Sequence, residues 1–348
     1  MNPNSDSVLH AEIFEQPHVV RHLLRTESAH IAAMAPALND ARYVVIAARG
    51  TSDNAARYAQ YVFGAHNGLT TALAAPSLYS RYGAAPRVDG AMVIGISQSG
   101  QSPDIVQVLA AARRQGAPTI AVTNDPSSPL AQTAEHVITL HAGAERSVAA
   151  TKTYTAQLTA LAMLSAHLAG DAARLAELEM LPDAMQRALT AEPQARAAAA
   201  ALHAAARCVV LGRGFHYATT FELALKIKEL TYLLAEPYST ADFAHGPVAM
   251  VEPGFPVLVV AAGRTLQAET AELRTSFLQR GALLVTFGDE HNPPLDGEHY
   301  VPLASGLPEW LAPIAAILPG QLLAFHLAYA RGLDPDRPRT ISKVTRTT

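Results

Sequence analysis

The sequence predicts an α/β fold written twice, each copy a parallel sheet covered by helices on both faces. Three observations predict it. Short β-branched runs recur along the chain, matched pairs of them lie about 165 residues apart, and helix-favouring segments separate one run from the next.

The first pair is Tyr43 to Ile46, which leads to Gly50, and Cys208 to Leu211, which leads to Gly214. The second is Ala91 to Ile94 after Gly90, matched by Pro256 to Val259 after Gly254. Thr119 to Val122 follows Gly116 as Leu283 to Thr286 follows Gly281, and Glu135 to Ile138 pairs with Glu298 to Val301. A glycine before a β-branched run is the usual punctuation of a strand start. Strands alternating with segments such as Ile105 to Arg114 form βαβ crossovers, so each half is expected to be a three-layer α/β/α sandwich. The expected divisions are an N-terminal helical segment (1–34), two α/β domains (35–180 and 181–333) and a C-terminal arm (334–348). The stretch from about Asp171 to Arg207, with its alanine run Ala197 to Ala201, reads as a helical connection.

Composition narrows the function. The chain of 348 residues is 49% apolar and 16% charged, enough to bury a large core. Its 26 basic and 30 acidic residues leave a net charge of -4 with no basic run, which argues against nucleic acid as a partner. The start Met1-Asn2-Pro3-Asn4-Ser5-Asp6 lacks the pattern of a secretion signal, so a cytoplasmic location is expected. Trp310 to Ala330 is apolar but interrupted by Pro313, Pro319, Gln321 and His326, which reads as a buried helix pair rather than a membrane span. The lone cysteine, Cys208, sits in an apolar run as a small hydrophobe. The fourteen histidines form no ligand-spaced cluster with acids, so neither a metal nor another cofactor is expected.

The chemistry-bearing motifs fall at strand ends. The second strand runs into Ser97-Gln98-Ser99-Gly100-Gln101-Ser102, and a helix opens at Pro103. Hydroxyls and backbone amides at such a turn can hold a phosphate without a cation, although an ordinary serine cap fits the same residues. Gly50, Thr51 and Ser52 form a second hydroxyl-bearing turn after the first strand. The matching turns of the second half, at Gly214 and Gly263, lack serines, so phosphate binding is expected in the first half alone. From Phe221 to Leu234, Leu223, Ile227, Leu230 and Leu234 mark a helical stripe, beside which Glu222, Lys226 and Glu229 share one face. That row is either a solvated ion ladder or an acid-base device. His245, in a loop closed by Gly246-Pro247, is either a turn residue or a proton carrier.

Together these residues resemble the isomerase half of glucosamine-6-phosphate synthase and its relatives, the two-domain SIS (sugar isomerase) proteins. The resemblance covers nearly the whole chain. It includes Glu12 to Pro17, the turn from Arg49 to Ser52, the serine loop, Val148 to Thr153 with Gln157-Leu158, Glu222 to Glu229, His245 to Pro247 and Ile341 to Thr345. It implies two tandem SIS domains with flavodoxin-like sheets, no cofactor, and a homodimer with shared active sites. It further implies phosphate contacts from Ser97, Gln98, Ser99 and Ser102, and sugar contacts from Gly50, Thr51, Ser52, Val148, Ala150 and Ser342. On the same basis Glu229 moves a proton between C1 and C2, and His245 of a neighbouring subunit opens the sugar ring. Lys226 supports the intermediate and Lys343 closes over the sugar. Two residues depart from the family pattern: Ala150 stands in place of serine and Arg49 in place of a small residue.

The synthase draws ammonia from an N-terminal glutaminase whose nucleophile is the cysteine after the initiator methionine; Asn2 stands there in this sequence. The expectation is therefore a stand-alone deaminase that turns glucosamine 6-phosphate and water into fructose 6-phosphate and ammonia. Action on another amino-sugar or fructose-amine phosphate is the alternative within enzymes, and a non-catalytic sugar-phosphate sensor the alternative outside them.

Overall fold

The computed structural model describes residues 7–340. The chain divides into two compact units: His18–Glu145 with Lys152–Glu179, and residues 7–17, Arg146–Thr151 and 180–340. Each is built on one five-stranded, all-parallel sheet.

The first unit takes most of α1 (Val8–Leu38), then β1 (Tyr43–Ala47), α2 (Thr51–Asn67), β2 (Thr70–Leu73), α3 (Pro76–Ser80) and β3 (Ala91–Ile96). It continues through α4 (Pro103–Arg114), β4 (Thr119–Thr123), α5 (Pro129–Thr133), β5 (His136–Thr139), α6 (Lys152–Ala169) and α7 (Ala172–Leu178). The strand order is β2-β1-β3-β4-β5. All six residues of β3 are buried because helices cover both faces, as a parallel sheet requires. Ile105, Val108, Leu109 and Ala112 of α4 pack on Ala91, Val93 and Ala121 on one face, while α2 packs with α6.

The second unit contains α8 (Leu181–Ala188), α9 (Glu192–Leu202), β6 (Arg207–Gly212), α10 (Tyr217–Thr231), β7 (Leu234–Ser239) and α11 (Thr240–Ala244). There follow β8 (Pro256–Ala261), α12 (Gln267–Gln279), β9 (Leu283–Gly288), β10 (His299–Pro302) and α13 (Ala312–Ala330). Its order, β7-β6-β8-β9-β10, repeats the first. Both sheets therefore reverse direction beside their first strand, the place where doubly wound sheets open a ligand crevice at the carboxyl ends.

The eight strands expected from the sequence are present, and each sheet gains a fifth. Both additions, β2 and β7, are edge strands. β7 carries Pro237, which donates no hydrogen bond and is tolerated at an edge. Leu234 accordingly leaves the helical stripe: α10 stops at Thr231, Tyr232 takes φ 58°, and Leu234 begins β7 with 61% of its surface exposed. Instead of a helix pair, Ala312–Ala330 is one helix with Pro319 inside it. It is long and apolar enough to cross a membrane, and 89% of that window is buried within the protein. The stretch after Gly332 docks on its own unit: the Asp336 carboxylate accepts from the backbone N–H groups of Val8 (3.2 Å) and Leu9 (2.8 Å) at the start of α1.

Candidate active site

β3 ends at Ile96 and the serine loop turns the chain into α4. Ser97 is buried, and its Oγ accepts from the Gly100 N–H at 3.1 Å. Gly100 needs to be glycine: φ is 61°, and a Cβ there would stand 2.1 Å from Ser128 Oγ. The Gly100 carbonyl accepts from Leu130 N–H, and the Gln98 carbonyl accepts from Asn124 N–H and from the Thr123 hydroxyl. The loop is thereby pinned to the ends of β4 and α5. Ser102 occupies the N-cap position of α4 without making a capping side-chain bond. Its hydroxyl is not spent in the way an ordinary serine cap would spend it.

The neighbouring turn, after β1, has Gly50 at φ 56° and enters α2 at Thr51. Ser52 is buried and its Oγ accepts from Gln157 Nε2 at 3.0 Å, so α6 fixes this hydroxyl. β1 and β3 are paired side by side in the sheet, which brings the two hydroxyl-bearing turns to one edge of it.

Val148 and Ala150 lie in the short segment Arg146–Thr151 of the second unit. The buried Glu12 carboxylate of α1 holds it, accepting from the N–H groups of Arg146 (2.6 Å) and Ser147 (3.1 Å) and from the Ser147 hydroxyl. Sequence reasoning gave Glu12 no role of its own, because its partners are more than a hundred positions away.

α10 carries the ionisable row. Lys226 Nζ lies 2.5 Å from Glu229 Oε2 and 3.5 Å from Glu222 Oε1. The side chains of Glu222 and Lys226 are 0% and 1% exposed, while Glu229 keeps 26% exposure. A solvated ladder is excluded: two of the three charges are out of water, where an ion persists only when paired. Glu229 is the member whose carboxylate reaches solvent, with an ammonium against it. His245 follows α11, is exposed, and its N–H donates to the Asp242 carbonyl at 3.2 Å. Ser342 and Lys343 lie outside the described residues.

In the second sheet the turn after β8 takes the position that the serine loop has after β3, and its donors are already engaged. Glu309 accepts from the N–H groups of Arg264 (2.6 Å) and Thr265 (2.8 Å) and from the Thr265 hydroxyl (2.7 Å). Asp289 accepts from Gly263 N–H at 2.6 Å. His216, at the turn after β6, is buried, and desolvation pushes its pKa down to about 4.

The family model of the SIS domain matches residues 37–166 and again 201–331. Glutamine–fructose-6-phosphate aminotransferase [isomerizing] of Methanothermobacter thermautotrophicus is 34% identical over 340 residues, which cover 97% of this chain and 57% of that protein. The chain thus spans somewhat over half the length of that relative. Among solved structures, the C-terminal domain of glucosamine-fructose-6-phosphate aminotransferase from Francisella tularensis superposes with a TM-score of 0.90 at 27% identity, covering 97% of this chain and 100% of that one. A candidate phosphosugar isomerase from Silicibacter pomeroyi DSS-3 superposes with a TM-score of 0.85 at 37% identity, covering 95% of this chain and all of the other. Each sheet of this protein lies within one matched copy of the same domain, and the chain belongs to the SIS domain family.

Proposed function

We propose that this protein is a phosphosugar isomerase of the amino-sugar type, and specifically a glucosamine-6-phosphate deaminase. The reading is carried by the row on α10, in which buried Lys226 holds buried Glu222 on one side and half-open Glu229 on the other. Moving hydrogen between adjacent sugar carbons takes one carboxylate able to accept a proton and give it back, beside a cation that steadies negative charge on the intermediate.

In the proposed reaction, the serine loop and the turn at Gly50, Thr51 and Ser52 take the phosphate end of the substrate. His245 transfers the proton that opens the pyranose ring, acting across a homodimer. Glu229 then breaks the C2–H bond of the open aldehyde and returns the proton to C1. The amine nitrogen loses a proton and the C1 oxygen gains one, which yields a ketimine at C2. Water adds to C2 and ammonia leaves, giving fructose 6-phosphate.

The test is to supply glucosamine 6-phosphate and follow ammonia and fructose 6-phosphate together. Both should appear in equal amounts; neither appearing at high protein concentration rejects the deaminase. Glu229→Gln should bind substrate yet lose exchange of the C2 hydrogen with solvent, falling by about 10²- to 10⁴-fold.

A further inference from the structure

Arg49 carries a guanidinium that none of these roles uses. Its Nε lies 2.9 Å and its Nη2 2.8 Å from the same oxygen, Oδ2 of Asp104. Asp104 belongs to the first turn of α4, two residues beyond Ser102, and its side chain is 2% exposed, whereas that of Arg49 is 50% exposed. One edge of the guanidinium is thus fixed by a buried carboxylate, and Nη1 has no partner among the described residues.

The location gives this pair its meaning. β1 and β3 are neighbours at the point where the strand order reverses. Arg49 leaves the turn after β1 and meets the helix that follows β3, so it bridges the two hydroxyl-bearing turns at the carboxyl ends of the strands, where doubly wound sheets bind ligands. An ion pair made only for stability would gain little with one partner half in water. A carboxylate that grips one edge of an arginine and leaves the other open is, in contrast, the usual way to aim a guanidinium at an anion. Asp104 also sets a buried negative charge close to a loop otherwise built of neutral donors. A phosphate dianion approaching there needs a cation in front of that charge.

We propose that Arg49 binds the phosphate of the sugar substrate through its open edge, with Asp104 as its positioning residue. The proposal rests on reading Ser97 to Ser102 as the phosphate loop. It assigns the serine loop a charged partner supplied by the neighbouring turn.

Calorimetric titration of wild-type protein, Arg49→Ala, Arg49→Lys and the double variant Arg49→Ala/Asp104→Asn separates the possibilities. The probes are glucosamine 6-phosphate, inorganic phosphate and unphosphorylated glucosamine. Arg49→Ala should weaken both phosphate-bearing probes by about ten- to a hundredfold and leave glucosamine nearly unchanged. Arg49→Lys, which keeps the charge and loses the fork, should fall between. In turnover, KM should rise more than kcat falls. The double variant should regain part of the affinity lost in Arg49→Ala, since the buried charge is gone, and stay well below wild type because the open guanidinium edge is gone too. Equal phosphate binding by wild type and Arg49→Ala overturns the inference while leaving the loop intact. Recovery of wild-type affinity in the double variant also overturns it, because Arg49 would then merely mask Asp104. No phosphate binding by the wild type removes the loop reading itself and this inference with it.

Discussion

Replacing Lys226 with methionine should destabilise α10 by about 3 to 5 kcal/mol, the range observed when one member of a buried pair is removed. The magnitude follows from the geometry. Glu222 has no exposed side-chain surface and its oxygen lies 3.5 Å from the ammonium. At an effective dielectric of about 20 that separation corresponds to roughly 5 kcal/mol of attraction, which methionine abolishes while the carboxylate stays out of water. Glu229, 26% exposed, can turn to solvent and contributes much less to the loss. A chain of two compact units need not unfold in one step, so the local opening free energy of α10, from amide hydrogen exchange, is the suitable readout. The double variant Glu222→Gln/Lys226→Met removes both charges at similar volume and should recover most of the loss. Unchanged exchange in Lys226→Met would refute the view that Lys226 sustains an ionised Glu222, and so would a double variant no better than the single one.

Gly100→Ala places a side chain at φ 61° and drives a Cβ to 2.1 Å from Ser128 Oγ; a loss of about 2 to 4 kcal/mol and of inorganic phosphate binding is expected, read by thermal melting and calorimetry. For His216 the folded pKa of about 4 lies below the ordinary 6.5, so the unfolded chain binds the proton first. Its contribution is therefore complete above pH 6.5 and is lost as the pH falls through about 4, at roughly 1.4 kcal/mol per unit; His216→Gln should flatten the stability profile in that window. Cys208, its thiol pushed up to about 12, should resist an aromatic disulfide reagent at pH 8 in the folded protein and react once the chain is unfolded in denaturant.

What was legible in the sequence was what is local. The eight strand starts were marked by a glycine or a β-branched run within a few residues, and the serine loop and the row on α10 each occupy one contiguous stretch. What was not legible depends on distant partners or on a missing signal. β2 is four residues long, and β7 hides behind a helix whose stop is made by Tyr232 in a left-handed conformation rather than by glycine. The grip of Glu12 on Ser147, of Asp104 on Arg49 and of Glu309 on Thr265 joins residues that no periodicity connects.

Duplication explains how the two copies came to differ in chemistry without differing in fold. α2 and α10 follow the first strand of their respective sheets, yet α2 buries Ala55, Ala56, Tyr58 and Val62 where α10 buries Glu222 and Lys226. The turns after β3 and β8 are likewise equivalent in position, but the first offers hydroxyls and the second is closed by the chain's own carboxylates, Asp289 and Glu309. Those carboxylates satisfy the same kind of backbone donors that an incoming phosphate would seek, and their charge would repel it. A buried ion row is costly to keep, since charges out of water persist only when paired. Under the proposed function the cost has a use: anion binding is assigned to the hydroxyl-bearing turn of the first copy and proton transfer to the ion row of the second.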